Sequence, residues 1–267
     1  MFVDAIDLRE FYDGPLGRLA RRMIRRRIRT FWPDLRGQSL LGLGYATPYL
    51  RLFRGEAERV ITFMPAQQGV LAWPPEGANL AALVDEGELP LEDASIDRIV
   101  LVHALEGTEQ RAAMMTEMWR VLAANGRLLV VAPNRRGLWA RFDHTPFGHG
   151  QPYTTGQLSR LLRDSRFTPT RTESALFAPP YTSSLIVRSA PAIEQIGKRW
   201  FTTFAGVAVI EAQKQVYAVR PDRKRVLARA RELIPVPNRA PRPAHLSQDA
   251  HNTIVKEERS KSCMSLP

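Results

Sequence analysis

Read for apolar and polar positions, the chain changes rhythm at Gln38. Before it, residues 15–32 (PLGRLARRMIRRRIRTFW) carry Leu16, Leu19, Met23, Ile24, Ile28 and Phe31 at helical spacing, with Arg18, Arg21, Arg22, Arg25, Arg26, Arg27 and Arg29 between them. Pro15 suits a first helical turn and Pro33 stops the run, so the pattern predicts one basic, amphipathic helix. Beyond Gln38, short apolar runs alternate with helical stretches: SLLGLG (39–44), RVITF (59–63), a short strand near Leu83–Val84, RIVLVH (98–103) and GRLLVVAP (126–133). Apolar runs of this length joined by helical crossovers indicate buried strands of a parallel sheet. Residues 109–123 read as a helix with Met114, Met118 and Val121 inward, closed by Asn125-Gly126.

A long loop, NRRGLWARFDHTPFGHGQPY (134–153), follows and is too long for a simple connector, which makes it a lid candidate. Thr154-Thr155 then caps a helix over 157–164, and residues 168–177, 183–199 and 205–219 predict strand, helix and strand. The expected architecture is α/β and Rossmann-like, with a mostly parallel seven-stranded sheet and helices on both faces. It divides into a basic helical extension (1–36), the α/β domain (37–220) and a basic tail (221–267). That tail holds six prolines and little periodicity after Leu233, the composition of a largely disordered segment.

Charge refines the outline. The formal net charge is +11, but residues 1–36 hold nine basic and five acidic side chains and residues 220–267 hold eleven and five, so the middle is close to neutral. Arginine outnumbers lysine 33 to 5, which fits phosphate binding or merely a GC-rich genome. The basic helix is either a solvated face packed on the domain or a surface for an anionic partner, a lipid surface or RNA. No apolar run approaches the roughly 18 residues of a membrane span, and the acidic start does not read as a secretory signal, so a cytoplasmic protein is expected. The single cysteine, Cys263, leaves no disulfide framework or thiolate cluster, and no carboxylate or histidine pair has compelling metal-ligand spacing.

Two ordered stretches carry a resemblance. ELPLEDASIDRIVLVHALE (88–106) has a Leu-Pro pair, Asp-x-Ser-x-Asp, a buried strand and His-x-Leu-Glu, and EMWRVLAANGRLLVVAPN (117–134) has a helix ending in Arg-x-Leu, a glycine turn and a strand. In this order and spacing they resemble the type 11 methyltransferase domain, a group of class I enzymes that use S-adenosylmethionine. The resemblance implies a cofactor held at the carboxyl ends of the strands, where strand order reverses. It puts the glycine-rich turn at LLGLGYATPYL (40–50), the ribose position at Met64, and the adenine-side acid at Asp85, with Glu86 beside it and Val102 ending the adjoining strand. Gly44 is kept, but Gly42 stands where the family has an acid, Tyr45 follows, and Ala46 and Pro48 replace glycines. A charged hydrogen bond contributes about 1.5–3 kcal/mol, so losing the ribose acceptor at Met64 alone weakens binding by roughly one to two powers of ten.

Methyl transfer needs positioning more than a signature nucleophile. If a base takes part, His103, His144 and His149 are the candidates, because histidine titrates near neutrality. His103 also matches a family position that shapes the pocket floor, and the two loop histidines also suit local hydrogen bonding. Asn134 touches substrate or caps its turn, and Trp139, Phe142 and Phe147 form a lid or ordinary core. Three readings follow: a methyltransferase with a small-molecule or protein acceptor, a catalytically inactive binding or regulatory subunit, or a protein that works through its basic helix. The acceptor and the oligomeric state are not legible.

Overall fold

The computed structural model describes residues 2–181, 184–200 and 202–216. The tail over 221–267, and the end of the strand expected over 205–219, lie outside the described residues. In chain order come α1 (Ala5–Asp13), α2 (Pro15–Phe31), β1 (Ser39–Gly44), α3 (Thr47–Leu50), β2 (Arg59–Pro65), β3 (Ala81–Val84), β4 (Ile96–Val102), α4 (Arg111–Val121) and β5 (Leu122–Pro133). They are followed by α5 (Thr155–Asp164), β6 (Phe167–Ala175), α6 (Ser184–Trp200) and β7 (Val207–Lys214). All seven strands form one sheet in the order β3-β2-β1-β4-β5-β7-β6. The first five are parallel, and β7 runs antiparallel to both β5 and β6. Strand order reverses between β1 and β4.

Strand alternation sorts the core into two layers. Leu40, Val100, Val102, Leu129, Val131, Val207 and Val209 face one layer, and Leu41, Leu43, Ile99, Leu101, Leu128, Val130, Ala208 and Ile210 face the other. The second layer is closed by α4 and α5 through Met114, Met118, Leu158 and Leu162. The first is closed by α2, whose expected stripe, Leu16, Leu19, Met23, Ile24, Ile28 and Phe31, is entirely buried in it. Residues 1–36 thus share the core of the sheet. Buried Glu211 on β7 fixes this arrangement by accepting hydrogen bonds from Trp32 Nε1 at 2.9 Å, Arg127 at 2.9 Å and the Thr170 hydroxyl at 3.0 Å.

One boundary differs from the sequence expectation. Asn125-Gly126 does not close α4: the helix ends at Val121, and Leu122 turns extended (φ −74°, ψ 133°), pairs with Ile96 and is completely buried. Burial of that leucine ends the helix early, and the glycine lies within β5. A Cβ on Gly126 would lie 2.9 Å from the Ala123 carbonyl oxygen.

Arg120, in the Arg-x-Leu end of α4, pins the loop before β4. Its guanidinium donates to the Leu89 and Leu91 carbonyls, to Asp93 and to Glu117, and Glu117 also accepts the Leu89 amide. The Arg120 hydrogen bond, with the backbone amide, holds the Glu117 carboxyl below its ordinary 4.5 against the opposing effect of burial. A depressed carboxylate contributes stability that is full above 4.5 and lost as pH falls through the folded value. Urea midpoints between pH 6 and 3 should therefore fall less steeply for Glu117→Gln than for the parent, after allowance for its lower starting stability.

Candidate functional site

The site grows out of four strand ends. β1 ends at Gly44 with φ +79°, and a Cβ there would lie 2.3 Å from the Val102 carbonyl oxygen and 2.8 Å from Ala104 Cβ, so only glycine lets β1 and β4 separate at this distance. The turn that follows does not present an open ring of amides. Ala46 N donates to Gly44 O at 2.9 Å, Tyr45, Ala46 and Tyr49 are buried, and α3 is a single turn. At the end of β2, Met64 is fully buried, and Gln68 just beyond it donates from Nε2 to the His103 carbonyl at 2.7 Å. At the end of β3, Asp85 is exposed with Oδ1 accepting the Gly87 amide, and buried Glu86 accepts the Thr108 hydroxyl at 3.0 Å.

β4 is followed by His103, buried and held at φ +52°, a backbone conformation that costs about 1–3 kcal/mol in a non-glycine residue. Its Nε2 lies 2.8 Å from the Tyr12 hydroxyl, which lies 2.8 Å from the Tyr49 hydroxyl, and its Nδ1 lies 3.2 Å from Glu106 Oε1. The Tyr12 ring stacks on Tyr45 at 5.7 Å and 15°. Burial raises all three phenols, Tyr12 and Tyr49 well above their ordinary value and Tyr45 up to about 12, so they act as neutral hydrogen-bonding groups. The result is a buried cluster at the point where strand order reverses, with His103, Tyr12 and Tyr49 hydrogen-bonded in series and Glu106 beside the imidazole.

Tyr12 belongs to α1, an element absent from the sequence reading. Asp4 caps it by accepting the Ile6 amide at 2.7 Å, and Ala5, Leu8 and Tyr12 form its buried side. This helix crosses the carboxyl edge of the sheet. Its first amide donates to Gln68 O at 2.8 Å, Phe2 packs against Gly107 within the α4–α5 layer, and Leu8 and Tyr12 belong to the opposite layer. Besides Tyr12, the spacing of strands could not reveal Tyr49, Gln68 or Glu106 as site residues. Glu106 stood in the His-x-Leu-Glu run, and the Asp4 cap before Ala5, Leu8 and Tyr12 was the available signal for α1.

The remaining candidates fall apart in space. Phe147 reaches the centre, its ring 5.0 Å from His103 and 5.5 Å from Trp139, and both aromatics are buried, with Trp139 Nε1 donating to Ala178 O at 2.8 Å. Phe142 is half-buried near His144 and Tyr181, and His144 and His149 are exposed, each beside a loop carbonyl, of Pro180 and Asp143 respectively. Asn134 is buried, donating to the Thr203 and Ala205 carbonyls, and borders a hollow of about 620 Å³ shared with Arg136, Thr154, Glu173 and Lys198. Gly42 and Val102 are packed inside the sheet.

The methyltransferase domain family matches residues 41–130, which is β1 to β5 with the edge just described. This stretch is a class I methyltransferase domain. Similar proteins named probable S-adenosylmethionine-dependent methyltransferases, from two Mycobacterium tuberculosis strains, are 37% identical over 92 residues, 34% of this chain and 31% of their own length. The chain thus aligns with about a third of those curated relatives. Among solved structures, a chain of the complex between the Haloferax volcanii Trm112 methyltransferase activator and a methyltransferase superposes with TM-score 0.54 at 14% identity, over 80% of this chain and all of that one. An S-adenosylmethionine-dependent methyltransferase from Archaeoglobus fulgidus gives 0.52 at 18%, over 73% and 94%. At these identities both speak for the fold alone.

The cofactor of the methyltransferase family is S-adenosylmethionine, and with α1 in place the space beside the β4 exit does not fit it. A drug-sized ligand needs roughly 300–1,000 Å³. Beside His103 the hollow lined by Phe2, Val3, Glu106, Gly107 and Gly150 measures about 10 Å³, room for about one water.

Proposed function

We propose that the protein is an S-adenosylmethionine-dependent methyltransferase acting on a small-molecule or protein acceptor. The match over 41–130 carries this reading, because it spans the edge at which an open α/β sheet binds its ligand and keeps Gly44 there. The name of the Mycobacterium tuberculosis relatives supports it. Titration calorimetry on the full chain tests it: heat at millimolar S-adenosylmethionine is expected, and a folded protein giving none would count against it. Gly44, Tyr45, Ala46, Met64, His103 and Asp85 would be the nearest groups of this chain.

The filled edge favours a second reading, in which the domain is a binding or regulatory subunit. Met64, Tyr45 and Tyr12 are all buried where a cofactor would lie. Absence of cofactor binding in every variant described below would select it.

The basic helix supports an anionic partner only through charge. Its apolar stripe is spent in the core, so it has nothing to insert into a bilayer, and among the described residues no helix is long and apolar enough to cross one. Arg18, Arg22 and Arg26 lie exposed, one turn apart. Replacing these three by glutamate in the full chain should bring heparin elution forward at moderate salt; an unchanged elution would remove the anionic-partner reading.

A further inference from the structure

Resting on the methyltransferase reading, we propose that α1 is a built-in competitor for the cofactor: residues 2–13 and S-adenosylmethionine occupy the same carboxyl edge and exclude one another. The helix reaches three strand ends at once. It touches the β1 turn through Tyr45 and Tyr49, the β2 exit through Gln68 and the β4 exit through His103, and Phe2 just before it packs on Gly107. Those are the positions from which an open sheet of this strand order addresses a ligand.

The docked arrangement also lacks the completeness of a permanent core. Gln68 is fully buried with Oε1 unpartnered, and both carboxylate oxygens of buried Glu106 lack a hydrogen bond, with His103 Nδ1 3.2 Å from Oε1. Buried acceptors are ordinarily satisfied, and a surface that leaves two residues wanting while holding His103 at positive φ is suited to exchange one occupant for another. The connection permits the exchange. Gly14 is extended between α1 and α2 and Pro15 starts the second helix, so the chain can bend at this joint.

Competition of this kind reduces apparent affinity by the fraction of molecules with α1 displaced. Gly17 offers a way to raise that fraction without altering a residue of the edge. On α2 it lies against α1, and a Cβ there would fall 1.9 Å from Phe11 O and 2.6 Å from Tyr12 Cα. Gly17→Ala in the full chain should force the helices apart and tighten S-adenosylmethionine binding, read by calorimetry, at least tenfold. In the unmodified protein, hydrogen exchange with saturating cofactor should become faster in residues 5–13 and slower in residues 44–50. Binding with exchange in 5–13 unchanged or slowed, or equal affinity in both proteins, overturns the competition and leaves the methyltransferase reading intact. No binding by folded parent and folded Gly17→Ala overturns both. Should Gly17→Ala not fold, the exchange measurement on the parent decides.

Discussion

Gly44→Ala should lower the unfolding free energy by about 3 kcal/mol, combining the cost of placing a side chain at positive φ with that of overpacking a closed core. The added methyl has no route of escape. Its nearest neighbours are a strand carbonyl and the backbone-borne Cβ of Ala104, neither of which can rotate away as a flexible side chain would. Chemical denaturation checks the value, with Gly55→Ala as a comparison: that glycine also has positive φ, at +87°, but nothing lies within 4 Å of its Cβ position, so only the conformational part of the cost should appear. Equal losses at the two sites would mean that β1 and β4 do not approach as described.

His103→Ala should cost about as much, roughly 3–5 kcal/mol, because it empties a fully packed position between Tyr12 and Phe147 and removes the imidazole 3.2 Å from buried Glu106. Tyr12 loses its partner at the same time, although Tyr49 remains 2.8 Å away. The double variant His103→Ala, Glu106→Ala separates these contributions. If the orphaned carboxylate dominates, the double variant should be no less stable than the single one, and urea unfolding of both reads the difference. A His103→Ala protein as stable as the parent would contradict a buried His103–Glu106 pair.

The sheet was readable because its strands are buried on both faces and so appear as unbroken apolar runs. SLLGLG and RIVLVH can hardly be anything else between polar stretches, and Thr154 with Gln157 closes a capping box that marks α5. Strand order and the antiparallel β7 are different in kind. They follow from the resemblance and from pairing, not from periodicity, since VAVIEAQK reads the same in either direction. The end of α4 was misjudged because Asn125-Gly126 is a strong local stop, whereas burial of Leu122 is a tertiary effect that no window of neighbouring residues contains.

The edge was only half legible. Gly44, Met64 and His103 could be placed at the edge because they lie at strand ends, and strand ends are visible. Their occupant was not, since Ala5, Leu8 and Tyr12 give a short helix no distinctive stripe and their partners lie far along the chain. A hydrogen bond such as Tyr12 to His103 spans 91 positions, and no local pattern predicts it.

That separation bears on how the molecule is made. Partners of α1 and of the residue that ends α2 lie far downstream in the chain: Tyr12 must wait for His103, and Trp32 for Glu211, 179 positions later. Until then Leu16, Ile24 and Ile28 of the nascent chain have nothing to cover them, which is the condition under which premature association and chaperone capture compete with folding.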